Sequence, residues 1–245
     1  KKIIDAEKPM IIIGQSALKI KSGKFIFEGL KNFLMTNNKI NDKWNSLNVL
    51  SNNASTVGSY DLDILNNEKS NNSVLENIKK NKYNFIFLFG QDDLKFNKKK
   101  EFVLYIGSHG DKGADQADII LPGAAYTEQE GYFTNLEGKL QKAYRSSYPP
   151  GEAKEDWVIL NDLSELLKRK KIFKNKNELI DSMKNYLSLN HKKNISENIL
   201  TEFFNEKITV KNIDYYYSNV IARASKTMTE CREKKINLKK TGTEG

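Results

Sequence analysis

FIFLFGQDDLKFNKKKEFVLYIGSHGDKGADQADIIL, residues 85–121, contains three apolar runs that decide the fold. Phe85–Phe89 (FIFLF) ends at Gly90, Phe102–Ile106 (FVLYI) ends at Gly107, and Ile119–Leu121 ends at Pro122-Gly123. Short unbroken apolar runs closed by glycine or proline mark strands buried on both faces, the pattern of a parallel sheet covered by helices. Upstream, Met10–Gly14 (MIIIG) and Leu47–Leu50 (LNVL) read as two more strands. Between them, Ser22 to Met35 places Phe25, Phe27, Leu30, Phe33 and Leu34 at positions that include helical spacings, with Ser22 as the expected N-cap. Alternating strands and helices predict an α/β fold.

Outward from this core the signals weaken. Asn66 to Asn72 is polar and expected to be an exposed loop, and Asp92 to Lys100 a charged connector. Tyr132 to Ala143 predicts a hairpin around Glu137-Gly138, because glycine tolerates a positive φ. Pro149-Pro150-Gly151 interrupts the chain, and Glu155 to Lys168 then carries Trp157, Leu160, Leu163 and Leu167 at helical spacing. Further helical patterns fall at Asn177 to Leu189, Ser196 to Phe204 and Ser218 to Lys234. Residues 1–167 are expected to form one α/β domain and residues 168–245 a lysine- and asparagine-rich peripheral arm.

Composition narrows the function. The 245 residues suffice for one large or two small domains, and no apolar run approaches the length of a bilayer span. One cysteine, Cys231, and two histidines, His109 and His191, leave no donors for a cysteine cluster, a zinc site or a multi-histidine metal site. The net charge is +9, but the lysines are scattered and no stacking motif or recognition helix accompanies them, so nucleic acid is not the expected partner. Richness in Lys, Asn and Ile points instead to an AT-biased, organellar gene.

The segment Ala114 to Gln141, ADQADIILPGAAYTEQEGYFTNLEGKLQ, has the form of a ligand-handling loop. Small residues follow a strand, letting the backbone approach something closely, and ligands of open parallel sheets sit at the strands' carboxyl ends.

Three segments in order carry a family resemblance. Gly107 through Glu155 (GSHGDKGADQADIILPGAAYTEQEG and onward) resembles the C-terminal region of the large, 75-kDa-type iron–sulfur subunit family of respiratory complex I. Lys8 to Leu18 (KPMIIIGQSAL) resembles the start of that region, and Asp214 to Cys231 (DYYYSNVIARASKTMTEC) its C-terminal tail. The resemblance implies a doubly wound, mainly parallel α/β architecture like that of molybdopterin oxidoreductases. It implies a non-catalytic structural domain in the matrix-facing peripheral arm at the mitochondrial inner membrane, supporting electron transfer from NADH to ubiquinone coupled to proton translocation. No cofactor is expected in this chain. The iron–sulfur clusters are expected in a cysteine-rich N-terminal portion, either a separate partner chain of a split subunit, the favoured form, or the rest of a longer chain of which this is a fragment. The alternative is an oxidoreductase domain that keeps a molybdopterin or a nucleotide in the ancestral cleft.

The vestigial ligand-loop candidates are Gly123, Glu130, Gly131, Asn135, Glu137 and Gly138. Where the family pattern reads Asn-Thr-Glu-Gly-Arg, this chain has Asn135-Leu136-Glu137-Gly138-Lys139. Leucine removes a hydroxyl, and lysine removes the planar fork suited to phosphate. His109 is either an acid–base group between glycines or a structural hydrogen-bonding residue; no partner at characteristic spacing favours the first. Asp111, Asp115 and Asp118 resemble ligands of a hard cation but lack an EF-hand pattern, which favours capping or solvated roles. Glu128, Glu130 and Glu137 are expected to pair with lysines or backbone N–H groups. Cys231 is expected to be a small buried or neutral residue in a helix and not a reactive thiol. Tyr215 to Tyr217 with Arg223 suit either a subunit interface or intramolecular packing.

Overall fold

The computed structural model describes residues 1–64, 68–190, 202–207 and 214–240. In chain order they form α1 (Lys2–Asp5), β1 (Ile11–Gly14), α2 (Gln15–Leu18), α3 (Gly23–Thr36), β2 (Ile40–Asn41), β3 (Trp44–Asn45), β4 (Leu47–Leu50) and α4 (Thr56–Asp61). Then come α5 (Glu68–Lys79), β5 (Phe85–Phe89), β6 (Phe102–Gly107), α6 (Lys112–Asp115), β7 (Ile119–Pro122), β8 (Gly131–Thr134) and β9 (Leu140–Ala143). The last described elements are α7 (Asp156–Leu166), α8 (Lys176–Asn190), a 3-10 turn at Tyr215–Tyr217, α9 (Val220–Ala224) and α10 (Lys226–Lys240). The chain divides into two compact units, each built from three separate segments: Lys1–Asn66, Tyr132–Ala143 and Ile180–Val210 in one, the remainder in the other.

In the first unit, β1 pairs in parallel with β4, Ile11 facing Leu47 and Ile13 facing Val49. Ile13, Leu34 and Leu47 form its buried core, with Leu18, Phe27, Leu30 and Ile40 packed around them. Helix α3 supplies Leu34, Leu30 and Phe27 from one face, as an amphipathic helix lying on a sheet must. Ser22 precedes α3 as anticipated but makes no side-chain cap. Its hydroxyl donates instead to the Phe204 carbonyl at 2.9 Å, so a partner 182 residues away displaces the local one. The hairpin β8–β9 is present, and Gly138 adopts φ +77° in its turn.

The second unit is organised by the parallel sheet β5–β6–β7, in sequential order. Successive residues of β6 point to opposite faces. Val103 and Tyr105 join Ile78, Ile86 and Leu88 in one core, while Leu104 and Ile106 join Ile159 of α7 in another. That two-sided burial is why Val103 to Ile106 are all apolar, while Phe102 at the start of the strand is exposed. β5 departs from the same expectation. It is one of the two edge strands, and Phe85, Phe87 and Phe89 are exposed while Ile86 and Leu88 are buried; β7, at the other edge, likewise leaves Ile119 and Ile120 exposed. The polar stretch expected as a loop over 66–72 is helical from Glu68, the start of α5; residues 65–67 lie outside the described part.

Beyond residue 168, α8 matches the pattern read at Asn177 to Leu189. The helical pattern at Ser196 to Phe204 lies outside the described residues as far as 201, and residues 202–207 form no regular element. The single helix expected over Ser218 to Lys234 is two. Ser225 is extended (φ −80°, ψ 121°), and its hydroxyl accepts from the Met228 N–H at 3.4 Å, so one helix stops and another starts there. Cys231 is exposed on α10, contrary to the expected small buried residue, because this helix keeps little of its surface covered. Among the described residues, no helix is long and apolar enough to cross a membrane.

Candidate functional site

Strand β7 delivers the loop that follows it to the carboxyl edge of the second unit's sheet. The loop is held by backbone bonds on both sides. The Gly123 N–H donates to the Gly107 carbonyl at 3.0 Å, Lys154 N–H to the Pro122 carbonyl at 3.1 Å, and Ala124 N–H to the Lys154 carbonyl at 2.9 Å. Residues 122–124 therefore gain a short parallel partner at Lys154. Glycine packs closely at 123: a Cβ there would lie 3.0 Å from Asp156 Oδ1 and 3.2 Å from Ile106 Cγ2, so a neighbour would have to give by a few tenths of an ångström. Ala124 and Ala125 are buried, which excludes larger side chains. The close approach foreseen for this loop is thus met by the chain itself.

The polar groups of the loop are likewise consumed internally. Glu128 Oε2 accepts from the Ala125 N–H at 2.8 Å, and the Glu128 N–H returns a bond to the Ala125 carbonyl at 2.9 Å. Gln129 Nε2 donates to the Ala124 carbonyl at 3.3 Å, and the Ser146 hydroxyl to the Thr127 carbonyl at 3.0 Å. Beside them lies a cluster of charge. Lys176 Nζ sits 2.7 Å from Glu155 Oε2 and 3.6 Å from Glu130 Oε2, and Arg145 approaches Glu155 Oε1 at 3.6 Å. Trp157 Nε1 donates to Glu155 Oε2 at 3.1 Å. Burial pushes the Asp156 carboxyl above the usual range; the Gln129 hydrogen bond opposes this and the charge of Glu155 adds to it. Asp156 escaped the sequence reading, although its place in the first turn of α7, beside Glu155 and Trp157, was a usable signal.

The other candidates occupy different surroundings. Gly123, Glu130 and Gly131 belong to the second unit, whereas Asn135, Glu137 and Gly138 belong to the first. Asn135 organises the hairpin turn, its Oδ1 accepting from Glu137 N–H at 3.0 Å and Lys139 N–H at 2.9 Å. Its Nδ2 reaches Glu137 Oε2 at 3.4 Å. Leu136 is exposed. At Gly131 an added Cβ would meet nothing within 4 Å.

The acidic residues between β6 and β7 do not converge. Asp118 Oδ2 accepts from Lys98 Nζ at 2.6 Å and from the Val103 N–H at 2.7 Å, and these bonds hold its carboxyl low. Asp111 caps α6 through the Lys112 N–H at 2.8 Å and accepts from Arg223 Nε at 2.5 Å. Burial works upward on Asp111, but the Lys112 N–H and Arg223 outweigh it and keep the carboxyl low. Asp92, 3.0 Å from Arg223 Nη2, goes the other way: burial raises it more than Arg223 lowers it, and Asp93 and Asp111 add to the rise. His109 Nδ1 lies 3.0 Å from the Ser108 hydroxyl, and the His109 carbonyl accepts from the Tyr105 hydroxyl at 3.1 Å. Among the described residues, no three His, Cys, Asp or Glu side chains are grouped to hold a metal ion.

Arg223 is thus committed within the molecule. Tyr217 stacks under Arg232 at 4.7 Å with its hydroxyl 3.1 Å from Thr229 Oγ1, and Tyr216 lies 5.7 Å from Lys235 Nζ; Tyr215 stays exposed. For a pterin dinucleotide, the loop after β7 is a poor match. The space a glycine leaves for a ligand is taken by Asp156, the nearby amides are bonded, and the cations are neutralised by Glu130 and Glu155. Glu130, Glu155 and Asp156 also give the wrong sign for phosphates.

Residues 1–166 match the family model for molybdopterin oxidoreductases, and residues 187–231 match that for the C-terminal part of the NADH-ubiquinone oxidoreductase G subunit. The chain is 36% identical, over 94% of its length, to the NADH-ubiquinone oxidoreductase 75 kDa subunit of Reclinomonas americana. It is 36% identical over 97% of its length to the NADH-quinone oxidoreductase G subunit of Rickettsia bellii. Identity to the mitochondrial NADH-ubiquinone oxidoreductase 78 kDa subunit of Candida albicans is 32% over 94%. These matches take up 35%, 35% and 34% of the relatives' own lengths, so the chain spans about a third of the curated relatives it matches.

Proposed function

Because this chain belongs to the molybdopterin oxidoreductase family, we propose that it is a form of that fold kept for structure, serving in the large iron–sulfur subunit of respiratory complex I. One observation carries the reading. Similarity to the complex I subunits runs through nearly the whole chain, including residues 187–231, beyond the part shared with molybdopterin oxidoreductases in general. On this reading residues 1–167 are the α/β body and residues 168–245 a peripheral arm.

In this role the chain carries no electrons. It contributes α/β structure to the peripheral arm of a mitochondrial inner-membrane complex that passes electrons from NADH to ubiquinone and couples them to proton translocation. The cysteine-rich portion that holds the iron–sulfur clusters is its principal partner, whether on the same polypeptide or on another. The internal pairing of Glu128, Glu130, Glu155 and Lys176 supports a site that takes no dinucleotide. Solubilised membranes test the role. The chain should sediment with NADH dehydrogenase activity and yield no stoichiometric pterin, nucleotide or molybdenum on extraction. Migration apart from that activity would refute the complex I assignment, and a stoichiometric pterin would refute the structural one.

A further inference from the structure

Helix α7 ends in the longest run of like charge in the sequence. Leu166-Leu167-Lys168-Arg169-Lys170-Lys171-Ile172 sets four consecutive cations between large aliphatic residues. The turn that carries them is held from behind. The Lys168 N–H donates to the Glu165 carbonyl at 2.9 Å, and the Arg169 N–H to the Ser164 carbonyl at 3.0 Å. The Ser164 hydroxyl donates to the Lys170 carbonyl at 2.8 Å. Buried Asn161 accepts from the Ile172 and Phe173 N–H groups at 2.9 and 3.1 Å. The backbone is thus fixed by polar groups of α7, while the side chains are left uncovered: Leu166, Leu167 and Ile172 are 80%, 65% and 55% exposed.

Three features separate this run from the lysines scattered elsewhere. Among the described residues, Lys171 alone of the four cations has a carboxylate in reach, Glu165 at 3.5 Å. In the run Lys98–Lys100, by contrast, Lys98 is paired with Asp118 at 2.6 Å. Second, Lys168 holds φ +55°. The other described non-glycine residues with positive φ are Asn38, Asp63 and Asn81, types that tolerate it, and a helix ordinarily ends in glycine at such a position. A lysine kept there costs stability and retains a charge. Third, three large aliphatic side chains stand together at the surface, the composition of a contact centre and not of a solvated loop. Aliphatic tips offer no ring on which a nucleic-acid base could stack. A flat anionic bilayer would press on the exposed Glu165 carboxylate beside Leu166, whereas a protein surface can set its charges one by one.

We propose that this turn is a docking knob for a protein partner whose surface carries an apolar pocket rimmed by Asp and Glu, on a neighbouring subunit of the complex. Leu166, Leu167 and Ile172 fill the pocket, and Lys168, Arg169 and Lys170 pair with the rim, the arrangement of an apolar contact centre inside a polar border. This rests on the complex I reading above and names a contact surface within it.

The test uses the native complex with the full chain in place. A carbodiimide joins a lysine amine directly to a carboxylate, without a spacer. It should link Lys168 or Lys170 to an Asp or Glu of an identified partner chain. The internal pairs Lys98–Asp118 and Lys154–Asp162, at 2.6 and 2.8 Å, show that the reaction has run. Those internal links without a partner link at Lys168 or Lys170 would overturn the proposal. In Arg169→Glu/Lys170→Glu, the fraction of chain washed from the complex at moderate salt should rise about tenfold, because attraction at two rim positions becomes repulsion. Leu166→Ala/Leu167→Ala should loosen the chain at low and high salt alike, since apolar contact is not screened. Both pairs of side chains are exposed, so the urea midpoint should not move; should the leucine variant fail to accumulate, the charge variant decides alone. Retention of the charge variant at the wild-type level overturns the proposal. If that variant also loses a binding to anionic phospholipid vesicles that the unmutated chain shows, the occupant is a bilayer. Migration of the unmutated chain apart from NADH dehydrogenase activity refutes the complex I reading and this partner with it. A chain that travels with the activity, yet shows neither the link nor the release, refutes this inference alone.

Discussion

Replacing Gly123 by alanine should damage stability and leave chemistry alone. The new methyl would lie 3.0 Å from Asp156 Oδ1 and 3.2 Å from Ile106 Cγ2. Ile106 is 1% exposed and wedged with Leu104 and Ile159, so it cannot retreat. Nor can residue 123 move freely, because backbone bonds to Gly107 and Lys154 fix it on either side. Overpacking of this kind costs about 1–3 kcal/mol. Gly123 is not among the described glycines with positive φ, so alanine also stiffens the unfolded chain, returning about 0.4–1 kcal/mol. The net loss should be about 1–2 kcal/mol. With a urea m value near the top of its usual range of ~1–3 kcal/mol per M, the midpoint should fall by roughly 0.3–0.7 M. Adding Asp156→Ser removes the closer of the two contacts, and the double variant should recover about half of the loss. Urea denaturation followed by tryptophan fluorescence reads all four states of the cycle. A Gly123→Ala chain within about 0.3 kcal/mol of wild type, or a double variant with no recovery, would refute the close-packing argument.

Two further outcomes follow from neighbouring groups. Asn161→Ala should cost about 1–3 kcal/mol in the same denaturation assay, because its buried side chain accepts from Ile172 and Phe173 N–H and donates to the Phe173 carbonyl; Ile172 is exposed and its N–H can turn to water, so the cost is that of about one orphaned group; a change below about 0.5 kcal/mol would contradict it. The raised Asp156 carboxyl has a signed pH effect. Folding favours its protonated form, so its contribution falls as pH rises from the unfolded carboxylate value through the higher folded one. Asp156→Asn should therefore flatten the stability profile over that window and not lower stability at neutral pH, whereas Asp111, held low, loses its stabilising contribution only as pH falls through its depressed value.

Sequence reading succeeded where the signal is local. FVLYI announced a two-sided strand because Val103 to Ile106 face alternate cores and all had to be apolar, and Glu137-Gly138 announced a turn because few other pairs accept that backbone. It failed where a distant partner decides. FIFLF has the same composition as a central strand, but β5 sits at an edge, and no local feature distinguishes the two. Ser22 has the right identity for a cap, yet Phe204 claims its hydroxyl from 182 residues away. Arg223 was noticed for its residue type, while its partners Asp92 and Asp111 lie 131 and 112 residues upstream and carry no spacing signal. The helix from Glu68 was hidden because its polar residues carry no apolar periodicity over the stretch read as a loop.

The central claim is that an α/β body of molybdopterin oxidoreductase descent has been kept as structure in complex I. Intact mass spectrometry of the purified NADH:ubiquinone reductase tests it most directly, since it weighs the chain and anything bound to it together. The account predicts this sequence in equimolar amount with the cysteine-rich iron–sulfur portion and no added mass from a pterin dinucleotide. A complex that lacks the sequence, or contains it with a stoichiometric pterin, would contradict it.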